Sequence, residues 1–202
     1  THDRWVVVAA HYDHLGHQGN DIYRGADDNA AGVAILTELA QRLKQHAPVG
    51  RNVLLAFFDA EEPPHFLSGT MGSAHFVTHP TVPLEKIDLM VCMDLVGHAI
   101  GPASAPPELR NTVFALGAER SVGTREWVDR MAGMTDGVVI RRADAEAIPP
   151  LSDYAAFWKK QVPFLFLSCG RWEHYHRPTD TPDQLDYDKI AATARWLEGF
   201  VR

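Results

Sequence analysis

The chain has 202 residues, 46% of them apolar, and carries 19 Lys and Arg against 26 Asp and Glu for a net charge of −7. That length suits one domain, residues 1–202, with a filled core. The scattered cations form no stripe that could neutralise a phosphate backbone, which argues against nucleic acid, and no apolar run nears the ~20 residues of a membrane-spanning helix.

In chain order, the first apolar run is residues 5–10 (WVVVAA), read as a strand. It lies a few residues from Thr1, so an upstream leader or further strands are expected before this sequence. Residues 29–46 (NAAGVAILTELAQRLKQH) repeat apolar positions at three and four and predict a helix. Residues 53–58 (VLLAFF) predict a second strand, 73–78 a short helix, and 87–93 (IDLMVCM) a third strand. Residues 101–107 (GPASAPP) read as a surface loop, followed by a helical pattern over 107–121. Residues 137–142 (GVVIRR) suggest an edge strand, 153–160 a helix, 162–167 (VPFLFL) a strand and 187–201 a last helix. Short apolar runs rich in branched and aromatic residues, alternating with helices, predict an α/β fold. It has three layers, with a central, mostly parallel (mixed) twisted sheet and helices on both faces. Two cysteines, Cys92 and Cys169, are too few for a disulfide framework and read as buried core residues.

In such sheets the working site lies beyond the carboxyl ends of the strands. Four of these ends carry side chains able to hold a metal nearby. The first strand runs into His11 and Asp13, with His11 a ligand and Asp13 accepting a hydrogen bond from its ring; His14 and His17 read as solvated loop residues. The segment GADDNAAG (25–32) opens the first helix. Capping alone accounts for one acid there, and two consecutive acids suggest a carboxylate that bridges two cations, assigned to Asp27. After the 53–58 strand come Glu61 and Glu62; neighbouring side chains diverge, so Glu62 is expected to ligate and Glu61 to move protons. Asp94 is a lone acid ending an otherwise apolar strand and needs a cation or a hydrogen-bond network. In EHYHRPTDTP (173–182), His176 is the stronger ligand candidate and His174 faces solvent or substrate.

The ordered segments AAHYDHLG, GADDNAAGVA, FFDAEEPP with MGSAHF behind it, VCMDLVG, LSDYAAFWKKQVPFLF and HYHRPTDTPDQL resemble the M28 family of zinc peptidases over nearly the whole chain. No single segment decides it; their order does. The resemblance implies the zinc-peptidase (phosphorylase/hydrolase-like) fold and a co-catalytic two-zinc aminopeptidase acting on peptides with a free N-terminus. One zinc would be held by His11, Asp27 and Asp94, the other by Asp27, Glu62 and His176, with Glu61 the general base. Cobalt or manganese could substitute for zinc. Tyr175 is a candidate oxyanion donor, and Phe66, Trp172 and Tyr175 are candidate pocket walls favouring apolar residues. The resemblance also tilts the expected compartment towards the periplasm or the exterior. Two departures stand out: a Pro-Pro segment follows the glutamate pair, and Tyr154 replaces the family's histidine after Asp153. The rival readings are a single-zinc glutaminyl cyclase, which would need only Asp27, Glu62 and His176, and a binding module that kept the fold without the chemistry. A serine hydrolase is remote, because no GxSxG elbow occurs.

Overall fold

The computed structural model describes residues 3–47 and 50–202. Eight strands are present among them: β1 (Trp5–His11), β2 (Gly16–Gln18), β3 (Asp21–Tyr23), β4 (Asn52–Phe58), β5 (Ile87–Met93), β6 (Thr112–Leu116), β7 (Val139–Ala143) and β8 (Phe164–Ser168). The α-helices are α1 (Ala31–Leu43), α2 (Gly72–Thr78), α3 (Pro107–Arg110), α4 (Thr124–Met131), α5 (Tyr154–Lys159) and α6 (Tyr187–Val201). Six strands form the main sheet in the order β4-β1-β5-β8-β6-β7, and β2 and β3 form a separate antiparallel pair. All neighbours in the main sheet are parallel except β6 and β8, so the sheet is mixed and mostly parallel, as its run pattern implied.

Alternation along β1 shows why both faces had to be apolar. Val6, Val8 and Ala10 face a cluster with Ile35, Leu36 and Leu39 of α1 and Trp196, Leu197 and Phe200 of α6. Val7 and Ala9 face the other cluster, with Val77 of α2 and Phe157 of α5. Each face is therefore sealed by a helix pair, α1 with α6 and α2 with α5, and the β1 side chains from Val7 to His11 are fully buried. Cys92 and Cys169 are free and buried, as expected.

The helix expected over 107–121 is corrected. Helix α3 lasts four residues, and the next five (TVFAL) form β6, pairing antiparallel with β8 in the register Phe114 to Ser168, Ala115 to Leu167 and Leu116 to Phe166. A branched and aromatic run between two strands gains more from ladder hydrogen bonds and two-sided burial than from continuing a helix. The 137–142 strand does lie at an edge, as β7. The β2–β3 hairpin and α4 gave no clear apolar period; the hairpin strands are three residues each and largely exposed.

Gly117 ends β6 with φ +96°, and a Cβ there would lie 2.7 Å from the Phe164 carbonyl oxygen. Substituting Gly117→Ala should therefore lower unfolding free energy by about 1–3 kcal/mol, read from urea denaturation. A change below a few tenths would contradict this account of the turn.

Candidate metal centre and active site

Five segments meet above the carboxyl ends of β1, β4, β5 and β8. The last residue of β1 is His11, and Asp94 directly follows β5. Glu61 and Glu62 follow β4, the turn Ala26–Ala30 leads into α1, and the loop after β8 delivers His176. Three non-glycine residues at these strand ends have left-handed backbone: Ala60 (φ 58°), Leu95 (φ 56°) and His176 (φ 53°). Such conformations cost on the order of 1 kcal/mol or more each and persist where surrounding structure enforces them. Here they turn the chain immediately beside Glu61 and Asp94 and at His176 itself.

The resulting cluster is dense. His11 Nε2 lies 3.3 Å from Oδ1 of Asp28, 3.8 Å from Asp94 Oδ2 and 3.9 Å from Glu61 Oε2. His176 Nε2 lies 3.2 Å from the other Asp28 oxygen, Oδ2, and 3.0 Å from Glu62 Oε2. The two oxygens of Asp28 thus face two separate imidazole–carboxylate sets.

The acid that faces both rings is Asp28, not the expected Asp27. Asp27 is turned the other way: Oδ1 accepts the Gly97 N–H at 2.5 Å and Oδ2 contacts His98 Nδ1 at 2.6 Å. Consecutive side chains in a tight turn diverge, and two acids in a row left open which one faces the site. His11, Glu62, Asp94 and His176 are brought together as expected, with Asp28 among them in place of Asp27. Asp27 instead ties the segment carrying Asp28 to the segment carrying Asp94.

Asp13 also differs in detail. Its carboxylate accepts the N–H groups of Glu61 (3.1 Å) and Glu62 (3.0 Å) and places Oδ1 3.6 Å from His11 Nδ1, while its backbone carbonyl lies closer to that nitrogen, at 3.1 Å. Burial opposes the shift, yet the His11 ring first and then those two N–H groups hold the Asp13 carboxyl below its ordinary range. Asp180 makes the same two-pronged contact with the N–H groups of Asp27 (2.9 Å) and Asp28 (3.1 Å). His14 is a second correction, since it is nearly buried rather than solvated and its Nδ1 lies 2.8 Å from Glu62 Oε1. His17 is exposed, as read.

Electrostatics follow from packing acids together. Burial, reinforced by Asp94, pushes the Glu61 carboxyl up to about 10. For His176 burial opposes charge, yet hydrogen bonds donated by its ring to Asp28 and Glu62 outweigh it and raise the ring to about 9. Burial also lifts Asp153 to about 7, and neither of its oxygens has a hydrogen-bond partner among the described residues. Tyr154 behind it is structural: stacked on Phe164 and Phe166, its hydroxyl accepts the Leu151 N–H at 3.1 Å.

A cavity of about 310 Å³ opens directly over the cluster, walled by Pro63, Phe66, Leu151, Phe166, Arg171 and Tyr175. The Pro-Pro segment therefore does shape the wall. Tyr175 stacks on His176 with ring centres 3.9 Å apart, while Trp172 stacks on His98 instead and is absent from this lining. A larger cleft, about 1050 Å³, lies at the opposite, amino ends of β1 and β5, far from every candidate ligand.

Residues 1–201 match the family described as Peptidase family M28. The chain belongs to this family. The uncharacterized protein YfbL of Escherichia coli (strain K12) is 29% identical over 206 residues, covering 92% of this chain and 62% of YfbL. Among solved structures, the zinc aminopeptidase BSAP from Bacillus subtilis superposes with a TM-score of 0.76 at 20% identity, over 100% of this chain and 46% of BSAP. Glutaminyl cyclase from Porphyromonas gingivalis gives 0.74 at 19% identity, over 99% and 73%. The M28 chain thus spans less than two thirds of YfbL and about half of BSAP. At these identities the structural likeness fixes the fold, which is the expected M28 fold.

Whether this M28 cluster suits metal ions can be judged from its own atoms. Buried His11 Nε2 and Glu61 Oε1 have no hydrogen-bond partner among the described residues, although carboxylates surround them. Imidazole nitrogens and carboxylate oxygens converging in one buried place form a donor set suited to divalent cations once the ring protons leave, and His11, Glu61 and Asp94 offer atoms within 4.8 Å of one another. In metal-free protein the His176 ring should titrate near 9, seen by NMR of its ring nitrogens, and Glu62→Gln should bring it towards 6.5. A ring titrating near 6.5 in the parent would contradict the contacts described.

Proposed function

We propose that this chain hydrolyses N-terminal peptide bonds with two bound zinc ions. The supporting observation is that Asp28 presents one oxygen to His11 and Asp94 and the other towards His176 and Glu62. On this reading His11, Asp28 and Asp94 hold one ion, and Asp28, Glu62 and His176 the other. When bound, the ions supply Lewis acidity, polarising the peptide carbonyl and making water easier to deprotonate near neutral pH.

The remaining work falls to the chain's own side chains. Glu61 lies in the cluster without being needed as a ligand, so it is placed to take a proton from the attacking water and return it to the departing amine. Burial keeps its carboxyl protonated in metal-free protein. Positive charge close by would pull it down into the range of a working base. Asp13 fixes the backbone of Glu61 and Glu62, and His14 occupies one oxygen of Glu62 and leaves Oε2 towards His176. Tyr175 stays protonated, burial first among the causes that push its hydroxyl up to about 12, so it can donate to a developing oxyanion. Carboxylates in this cluster also suit a free α-amine. The same proposal accepts cobalt or manganese at the sites and an extracytoplasmic setting.

Substituting Glu61→Gln should lower kcat by about 10²- to 10⁴-fold on aminoacyl anilides while leaving two zinc ions per chain in elemental analysis. Parental activity in that variant would remove Glu61 from the mechanism. One zinc per chain together with cyclisation of N-terminal glutamine would favour the cyclase reading.

Zinc must displace the proton that His176 holds up to about 9 and the one that His11 holds well above its ordinary range. Below those values a proton competes with the ion. Zinc affinity, measured by competition with a chromogenic chelator, should therefore rise about tenfold or more per pH unit from 6 towards 9. A plateau starting near pH 6.5 would contradict this.

A further inference from the structure

One cation stands on the wall of the acidic cavity. Arg171 is the only Lys or Arg among the cavity's lining residues, in a chain whose acids outnumber its cations. Several other exposed guanidinium groups are claimed by acids, Arg4 and Arg51 by Asp88, Arg120 by Glu146 and Arg142 by Asp129, whereas none of the acids lining the cavity pairs with Arg171. Arg171 makes no ion pair or hydrogen bond with any described residue. Its one specific contact is stacking, with the guanidinium carbon 4.7 Å from the centre of the Tyr175 ring, which in turn stacks on His176. Stacking holds the guanidinium plane and leaves its N–H donors free for a partner.

The position is fixed from below. Ser168 ends β8, its Oγ accepts the Gly170 N–H at 3.0 Å, and Gly170 turns the chain with φ 83°. Arg171 therefore leaves a rigid strand end rather than a loose loop.

We infer that Arg171 is a specificity-determining residue that pairs with a carboxylate of the peptide substrate. The inference rests on the peptidase reading above and adds the chemical class of substrate. Asp28, Glu61, Glu62 and Asp94 crowd one side of the cavity and would attract the amine end of a peptide. A carboxylate of the substrate finds its fixed donor at Arg171, next to the apolar surface of Phe66, Leu151 and Phe166. The pocket therefore suits a peptide with an apolar portion and a carboxylate close to the scissile bond. The carboxylate has two sources: the free C-terminus of a dipeptide, or an acidic side chain.

Matched peptides separate them. Leu-Leu against Leu-Leu-amide tests the α-carboxylate, and Leu-Glu-amide against Leu-Gln-amide tests the side chain, with parent, R171Q and R171K proteins loaded with zinc. For one pair, R171Q should raise KM for the carboxylate member tenfold or more, change KM for the uncharged member less than threefold and leave kcat nearly unchanged; R171K should recover part of the loss. The responding pair names the source. Equal changes across all four peptides would overturn the role of Arg171 while leaving the peptidase reading intact. If the parent cleaves none of the four, the peptidase reading fails, and calorimetric Kd values for the same peptides decide the inference: weakening by R171Q confined to one carboxylate peptide supports it, and uniform or undetectable binding overturns it.

Discussion

Four buried carboxylates crowded around two imidazole rings set the terms for everything else in this molecule. Asp28, Glu61, Glu62 and Asp94 are each less than a tenth exposed and lie within 4 Å of a ring nitrogen of His11 or His176. Like charges at that spacing in a poorly solvated place repel strongly. The strain appears as displaced titration: Glu61 and Asp94 are pushed up by burial, while Asp28 and Glu62, against burial, are held down by imidazole contacts. Protons can relieve part of this repulsion. Divalent cations relieve it more completely, since each brings two charges and accepts several oxygens at once. A cluster with unpaired buried atoms at His11 Nε2 and Glu61 Oε1 is therefore arranged for ions before any substrate arrives.

Holding such a cluster open demands support from groups outside it. Asp13 and Asp180 supply it by the same device: each carboxylate grips two consecutive backbone N–H groups, one under the glutamate pair and one under the aspartate pair. Charge-assisted bonds to backbone fix the peptide planes and so the directions of both side chains. Each grip spans a long stretch of sequence, 153 residues from Asp27 to Asp180 and 48 from Asp13 to Glu61. The site is thus specified by tertiary contacts as much as by its ligands.

What the sequence revealed, and what it hid, divides along the same line. The buried strands were legible because residues 5–10, 87–93 and 162–167 are apolar at nearly every position, a pattern that two-sided burial rewards; residues 53–58 share the pattern although β4 is an edge strand, only partly buried and with Phe57 exposed. Candidate ligands were legible because polar residues at the ends of such strands have few bland explanations. The choice between Asp27 and Asp28 was not legible, because it depends on the turn's dihedral angles and on Gly97, 70 residues away. His14 was misread as solvated for a similar reason: its burial comes from the Glu62 loop, not from its neighbours. Residues 112–116 were misread as helix because four consecutive apolar residues fit either period. The ladder with β8 decides the matter.

The support extends into the last helix, where Lys189 is almost fully buried with no carboxylate hydrogen-bonded to it. Its ammonium donates to the carbonyls of His98 (2.8 Å) and Arg110 (3.1 Å) and contacts Cys169 Sγ at 3.0 Å, which uses all three protons. Desolvating an ammonium is costly, and carbonyl dipoles offset that cost only if they stay in place. Lys189 therefore pins the start of the loop after β8 and the segment 94–98 to the same helix. His98, held by Lys189 through its carbonyl and by Asp27 through its ring, joins the Asp28 turn to that helix too. The buried lysine and the buried acids beneath the cavity are two ends of one polar network. Loosening α6 would reach the candidate ligands through the ends of β5 and β8 and through the Asp28 turn.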